Sequence, residues 1–307
     1  MNNAAEPRTT SLGEAAPTAR ELPQRPGGSS ADMKHAPEIL IRPQRGWAPL
    51  NLREIWDHRD LLYFLVWRNV KVRYAQTALG AGWAVLQPVL AMAIFTLIFG
   101  RLTHLSSDGA PYALFSYCAL VPWTYFSNAV TLASTSLVEN ERLVTKIYFP
   151  RLLVPLAATL GGVLDLAIAF VLLIALALGF GVLPDLKILA IPPLVLLAAA
   201  AAFAVGMSLS ALNVFYRDVR YVIAFLIQFW LFATPVAYSS SVIPHAWRPV
   251  YALNPMVGVV DGFRWAVLKT APSPGITIAI SLASTVALLT GGLYYFRRVE
   301  DSFADVV

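Results

Sequence analysis

The stretch ILAIPPLVLLAAAAAFAVGMSLSALNVFY, residues 188–216, contains no Asp, Glu, Lys or Arg. About 20 mostly apolar helical residues cross the hydrocarbon core of a bilayer, so these 29 residues are long enough to span. Four further runs have the same character: residues 74–100, 109–138, 221–247 and 270–296, each of 27 to 30 residues. The expected fold class is an all-α integral membrane protein.

Composition agrees. Of 307 residues 57% are hydrophobic and 13% charged, against about 25% charged in a soluble domain. The formal charge of +5 does not point to nucleic acid, because the basic residues flank apolar runs instead of gathering on a soluble module. Cys118 has no second cysteine with which to pair and reads as a small buried hydrophobe. The N-terminus lacks the basic region, apolar core and small-residue cleavage site of a secretory signal, so the first span is expected to serve as an uncleaved insertion signal.

Residues 1–46 are interrupted by Pro7, Pro17, Pro23, Pro26, Pro37 and Pro43. A segment of that composition cannot bury enough apolar surface to offset its chain entropy, and a disordered cytoplasmic tail is expected there. Residues 47–307 are expected to form one domain with six spans, near 82–100, 112–137, 152–180, 188–214, 221–238 and 275–296. Fourteen Lys and Arg then fall on one side, including Arg59, Arg68, Lys71 and Arg73, Arg142, Lys146 and Arg151, Arg217 and Arg220, and Arg297 and Arg298. Five fall on the other: Arg101, Lys187, Arg248, Arg264 and Lys269. The positive-inside rule places both termini in the cytoplasm.

Residues 57–74 read as a helix with Asp57 and Asp60 near its start and Arg68, Lys71 and Arg73 near its end, as the helix dipole favours. Its uncharged core, residues 61–67, is too short to span, so an interfacial helix on the inner leaflet is expected. Residues 239–274 are divided by Pro244, Pro249, Pro255, Pro272 and Pro274, which leaves an apolar 13-residue segment at 256–268. That length suits a re-entrant or interfacial helix on the outer side. Within it Asp261 and Arg264 stand three apart, placed either to pair on one helical face or to form a surface pair of little energetic value.

Asp165 is the one charged residue between Arg151 and Asp185. A charge at mid-span costs roughly 2.5 to 3.5 kcal/mol on insertion scales. A substrate-path role, a partner on a neighbouring helix and a neutral protonated acid all remain open for it. An Asn replacement is tolerated if the residue is protonated and structural, and abolishes transport if the charge is functional. The segment ENERLVTKIYFPR, residues 139–151, sets Glu139 and Glu141 before Arg142 and Lys146, as a short helix favours, and Pro150 marks entry into the next span. Its Tyr148 and Phe149 suit docking on a partner as well as a plain connection. Trp83, Trp123, Tyr125, Phe126, Phe225, Phe229, Trp230, Phe232 and Tyr238 lie in or at the ends of spans, where interface anchoring is the main expectation and support of sugar rings the alternative.

The chain carries no GxxxxGK[ST] phosphate loop, and His35, His58, His104 and His245 show no metal-ligand spacing. No cofactor or metal bound by this chain is expected, and it is not expected to be an enzyme.

Four stretches together resemble the permease subunits of type-2 ABC exporters for polysaccharides, the group exporting O-antigen, capsule and teichoic acid. They are LLYFLVWRNVKVRYAQTALGAGWAVLQPVL (61–90), ENERLVTKIYFPRLLVPL (139–156), NVFYRDVRY (213–221) and LNPM (253–256). The resemblance covers roughly residues 47–300. It implies a homodimer of six-span subunits in the bacterial inner membrane, working with a separate ATP-binding subunit that holds ATP and Mg, and moving a lipid-linked polysaccharide outward. It further implies that the interfacial helix with Arg59, Arg68, Lys71 and Arg73 contacts the ATPase. The coupling helix would be formed by Glu139, Asn140, Glu141, Arg142, Lys146, Tyr148, Phe149, Pro150 and Arg151, and Arg217, Asp218 and Arg220 would sit in a cytoplasmic loop. Asn254, Pro255, Asp261 and Arg264 would belong to short helices at the outer end of the path. Export of a smaller lipid or drug and a membrane-embedded glycan-modifying enzyme are the competing readings. The absence of an evident acidic pair or His cluster in the outer loops counts against the enzyme. Under the coupling reading, replacing Glu141 or Arg151 lowers export and coupled ATP hydrolysis while insertion stays intact.

Overall fold

The computed structural model describes residues 52–75, 82–103, 105–183 and 185–303, and no strand occurs among them. The expected tail of residues 1–46, with His35, and also His104, lie outside these residues. Among the described residues twelve α-helices follow one another: α1 Leu52–Asp57, α2 Arg59–Ala75, α3 Gly82–Phe95, α4 Tyr112–Glu139, α5 Glu141–Lys146, α6 Leu153–Leu160, α7 Val163–Gly179, α8 Ile191–Phe215, α9 Val219–Phe232, α10 Arg248–Tyr251, α11 Pro255–Val267 and α12 Gly275–Val299. A π-helical turn, Thr96–Leu102, extends α3, and a 3-10 turn, Leu186–Ala190, leads into α8.

The bundle is built around α4, which packs against α3, α6, α7, α8, α9 and α11. This helix carries the hydroxyls that a lipid-facing helix would leave unpaired, and it satisfies them internally. Ser116, Ser134 and Ser136 donate to carbonyls three residues back, and Tyr117 donates to the Ala169 carbonyl at 3.3 Å. In a dry interior such pairing is obligatory.

Against α4 lies the Ala-rich part of α8, with Ala198, Ala201, Ala202 and Ala204 fully buried. Small residues let two helix backbones approach closely. The approach is tightest at Gly206, where an added Cβ would stand 2.6 Å from the Ala133 Cβ. Alanine in a helix gains roughly 1 kcal/mol over glycine in propensity, but overpacking costs about 1–3 kcal/mol. Gly206→Ala is therefore expected to lower the melting midpoint in detergent; an unchanged or raised midpoint would refute the close contact.

Four segments among the described residues are long and apolar enough to cross a membrane: Gly82–Leu102, Leu153–Gly179, Leu186–Phe215 and Gly275–Val299. The other two expected spans differ. Helix α4 has 28 residues, but its Ser, Thr, Asn and Tyr side chains dilute its apolar character, in keeping with its place inside the bundle. The run expected to span at 221–238 is helical only to Phe232, 14 residues or about 21 Å. It stops because the Thr234 hydroxyl bonds back to the Trp230 carbonyl at 2.9 Å and Pro235 has no N–H to continue the ladder.

The expected third span, 152–180, is two helices broken at Gly161 and Gly162. Gly162 serves a close contact, since a Cβ there would lie 3.2 Å from the Tyr125 ring, whereas one on Gly161 would meet the Asn69 Cβ at an ordinary 3.5 Å. Tyr125 also donates its hydroxyl to the Thr159 carbonyl at the break, at 3.3 Å.

The two ends of the bundle differ in chemistry. At one end Leu65 of α2, Phe149, Leu152, Val214 of α8, Phe296 of α12 and Phe303 share an apolar core. Segments expected on the Lys- and Arg-rich side thus meet at a single end. Leu114, Ile191, Val236 and Met256 belong to the other core, which reaches the opposite end.

Candidate functional site

At the charge-rich end, α5 supplies the short helix expected within 139–151, with Glu141 in its first turn and Lys146 in its last. The segment has two unlike edges. Val144, Phe149 and Pro150 are buried, while Glu139, Glu141, Arg142, Lys146 and Ile147 are exposed and Tyr148 is 90% exposed. Asn140 joins it to α2, accepting from the Arg68 guanidinium at 2.7 Å and donating to the Ser136 carbonyl at 2.7 Å.

Arg151 faces inward, which sequence reasoning missed. Its backbone N–H donates to the Glu300 carboxylate at 3.3 Å, its guanidinium donates to the Glu300 carbonyl, and the Phe303 ring lies 6.0 Å away. Arg151 fastens the segment to the end of α12 and is not part of the exposed edge. Arg217, Asp218 and Arg220 are exposed beyond the end of α8.

Helix α2 packs along α6, with Leu65 buried and Tyr63, Phe64, Trp67 and Val72 exposed. Arg59 and Lys71 are exposed, Arg59 lying 4.0 Å from the Asp60 carboxylate and 5.7 Å from the Trp56 ring. The end of α2 brings two partners to Asp165. Arg73 forms an ion pair with Asp165, and the Tyr74 hydroxyl donates to the same carboxylate. The break at Gly161 and Gly162 places Asp165 in the first turn of α7, where the helix dipole favours an anion.

At the opposite end, Asn254 caps α11 by accepting from the Met256 N–H at 3.1 Å, with Pro255 as the first helical residue, a pairing that suits a helix start. The same side chain accepts from the Trp230 indole at 2.9 Å and donates to the Ala233 carbonyl at 3.1 Å, so it also ties α11 to the end of α9. Helix α11 is almost wholly buried.

Asp261 and Arg264 do not form the ion pair or the surface pair that their spacing suggested. Asp261 accepts from the Ser240 hydroxyl at 2.7 Å. Arg264, 3% exposed, donates to the Tyr238 carbonyl at 3.1 Å and the Val236 carbonyl at 3.0 Å. Its guanidinium lies 3.6 Å from the centre of the Phe115 ring, a cation–π contact, and its Nε has no acceptor. Burial pushes the Asp261 carboxyl up, opposed by the Ser240 hydrogen bond and the nearby Arg264 charge.

From the other side, Ser239 and Ser241 donate to Asp108, and Tyr112 donates to the Ala237 carbonyl. Segment 236–241 is thus clamped between α11 and the start of α4. A cavity of about 130 Å³ opens beside it, with Asp108, Ser240, Arg248, Tyr251, Asp261 and Arg264 among its lining residues.

The aromatic residues divide in a way that their sequence positions did not show. Trp123, Tyr125 and Phe126 are buried in the core instead of anchoring at an interface. Tyr221, Phe225, Phe229 and Phe232, spaced four, four and three apart along α9, are all exposed, and Phe225 stacks on Phe229 with centroids 6.5 Å apart. Among the described residues no group of three or more His, Cys, Asp and Glu is placed to hold a metal.

These features define a multi-pass helical membrane protein with an exposed, charged edge at one end and a clamped segment at the other. The family model of the ABC-2 type transporter matches residues 60–268, and the chain belongs to that family. It is 29% identical over 259 residues to the O-antigen export system permease protein RfbA of Myxococcus xanthus, covering 83% of this chain and 98% of that protein. It is 25% identical over 249 residues to the protein of the same name from Klebsiella pneumoniae, covering 81% and 95%. It is 21% identical over 239 residues to the polysialic acid transport protein KpsM of Escherichia coli, covering 76% and 92%.

Proposed function

We propose that this chain is the membrane permease subunit of an ATP-driven exporter that moves lipid-linked polysaccharide outward across the bacterial inner membrane. It acts as a homodimer with a separate ATP-binding subunit, which holds ATP and Mg; both chain termini face the cytoplasm. Six crossings follow if α4 and α9 join the four apolar spans, with α9 completed by the turn that follows it. The observation that carries the reading is the exposed edge of residues 139–151, anchored beneath by Phe149, Pro150 and Arg151 and offered to a partner by Glu141, Arg142, Lys146 and Tyr148. The resemblance of the chain to permeases named for O-antigen and polysialic acid supports a polysaccharide as cargo.

Glycan hydroxyls cannot enter hydrocarbon unpaired, so the path needs a polar or aromatic wall. The exposed row Tyr221, Phe225, Phe229 and Phe232 of α9 supplies the aromatic part of that wall at the subunit junction. The clamp that Asp108, Asp261 and Arg264 make on residues 236–241 stands at its outer end.

Depleting the protein and locating the lipid-linked glycan tests this function. Accumulation inside with loss from the surface is expected. A failure to synthesise the glycan would favour an enzyme, and an unchanged distribution would remove polysaccharide as the cargo.

The two edges of the coupling segment make a sharper prediction. Tyr148→Ala is expected to leave the melting midpoint unchanged while lowering co-purification of the ATPase and coupled hydrolysis, and Glu141→Ala to do the same more weakly. Phe149→Ala is expected to cost about 3–5 kcal/mol of stability, as for other buried aromatics. Full ATPase coupling in the Tyr148 variant would overturn the docking assignment. An Arg151 variant is less informative, because its guanidinium also holds the end of α12.

A further inference from the structure

A second cavity, about 460 Å³, lies on the outward side of α8, α11 and α12, and its wall is apolar almost throughout. It runs along α8 from Ala190 to Ala200 and along α12 from Ile278 to Leu289, with Trp265 of α11 at its side. Ten and eleven helical steps rise about 15–17 Å. That is half of a hydrocarbon core about 30 Å thick, the depth of one leaflet.

Both α8 and α12 belong to segments apolar enough to span, and Leu196, Leu282 and Val286 on the groove are half-exposed or more. The medium they face is lipid. One end carries a charge: the Lys187 ammonium lies 5.6 Å from the centre of the Trp265 ring. Lys and Trp side chains at this level mark the headgroup region, and the exposed Lys269 follows Trp265 by four residues. A partner helix from a second subunit would cross both leaflets, whereas the groove ends at Leu289, midway along α12.

We propose that this groove is a binding site for one anionic glycerophospholipid of the surrounding membrane. Its acyl chain lies between Ala190 and Leu289, and its phosphate meets Lys187. The inference rests on the membrane reading alone and does not require that the cargo be a polysaccharide.

The test uses the full-length protein in nanodiscs of phosphatidylethanolamine. These are doped either with phosphatidylglycerol carrying a diazirine in its acyl chain or with the phosphatidylcholine equivalent, and labelled peptides are mapped by mass spectrometry. Labelling by the anionic probe is expected to concentrate at residues 190–200 and 278–289 and to exceed the neutral probe about fivefold, the factor one lysine contributes near a charged headgroup. Lys187→Glu, a loop substitution outside the packed core, is expected to abolish that preference, and Ala200→Trp to remove labelling from the groove by filling it. Equal labelling by both probes overturns the proposal, as does a preference that survives Lys187→Glu or label spread evenly over the exposed faces of α3 and α7. Stronger labelling by a diazirine-bearing polyprenyl phosphate would replace the phospholipid with a carrier lipid. Crosslinks between copies through Leu196 and Leu282 replaced by cysteine would replace it with a second subunit.

Discussion

Arg264→Leu is expected to lower the melting midpoint in detergent by roughly 10 °C, the shift that about 3–5 kcal/mol produces in a domain of this size. The size of the effect comes from what the guanidinium leaves behind. The Val236 and Tyr238 carbonyls lose their donor, and each buried polar group without a partner costs about 1–3 kcal/mol. Asp261 loses the nearby positive charge that opposes its desolvation, and the Phe115 ring loses the cation above its face.

Arg264→Lys restores the charge without the planar fork that reaches two carbonyls, so it should recover only part of the loss. Cysteines placed in segment 236–241 should become reactive to water-soluble thiol reagents in the Leu variant, because that segment is held by Arg264 on one side and Asp108 on the other. A Leu variant that melts like the parent, with the segment still protected, would show that the clamp does not depend on this side chain.

Asp165→Leu is expected to cost about 2 kcal/mol, between the values for exposed and buried pairs, since the side chains of Arg73 and Asp165 are 27% and 20% exposed. Arg73→Leu should cost a similar amount. The double variant should recover most of the loss, with a coupling of roughly 0.5–3 kcal/mol as found for contacting residues. Additive losses in the double variant would mean that the two residues do not act as a pair.

The neutral replacement Asp165→Asn keeps an acceptor for Tyr74 but strands the Arg73 charge, so it is expected to fall between the parent and the Leu variant. If the stability of the double variant returns and export does not, the pair has a second task. It would then tie α2, which meets segment 139–151 through Arg68 and Asn140, to the break between α6 and α7.

Much of the architecture was legible in the residues taken alone. The runs at 82–100, 188–214 and 275–296 became helices within a few positions of the expected ends, because freedom from charge over that length is a sum of local transfer energies. Pro255 marked the start of α11, and the Asn254 cap, which reaches only two residues ahead, is a local feature that the structure added. Other local signals were present and left unused: the pair Gly161 and Gly162 inside an apolar run marks the helix break, and Thr234 with Pro235 marks the end of α9.

The candidate site was less legible. Arg151 and Tyr148 stand three residues apart in one motif, yet one is an anchor and the other lies open to a partner. Asp261 and Arg264 have the spacing of a helical ion pair, yet both turn to segment 236–241 instead of to each other. Trp123 and Phe229 are aromatics in apolar runs alike, and only one is buried. No local pattern separates these cases, because each depends on which distant helix lies alongside.

The sequence by itself determined that the chain enters a membrane, how far its apolar helices extend and which charged segments share a side. Those properties follow from solvation energies that add residue by residue. Only the tertiary structure decided the partners of Asp165, 92 residues from Arg73, and of Asp108, 131 residues from Ser239. A buried charge or hydroxyl must find its partner wherever packing brings one, and packing is a property of the whole bundle.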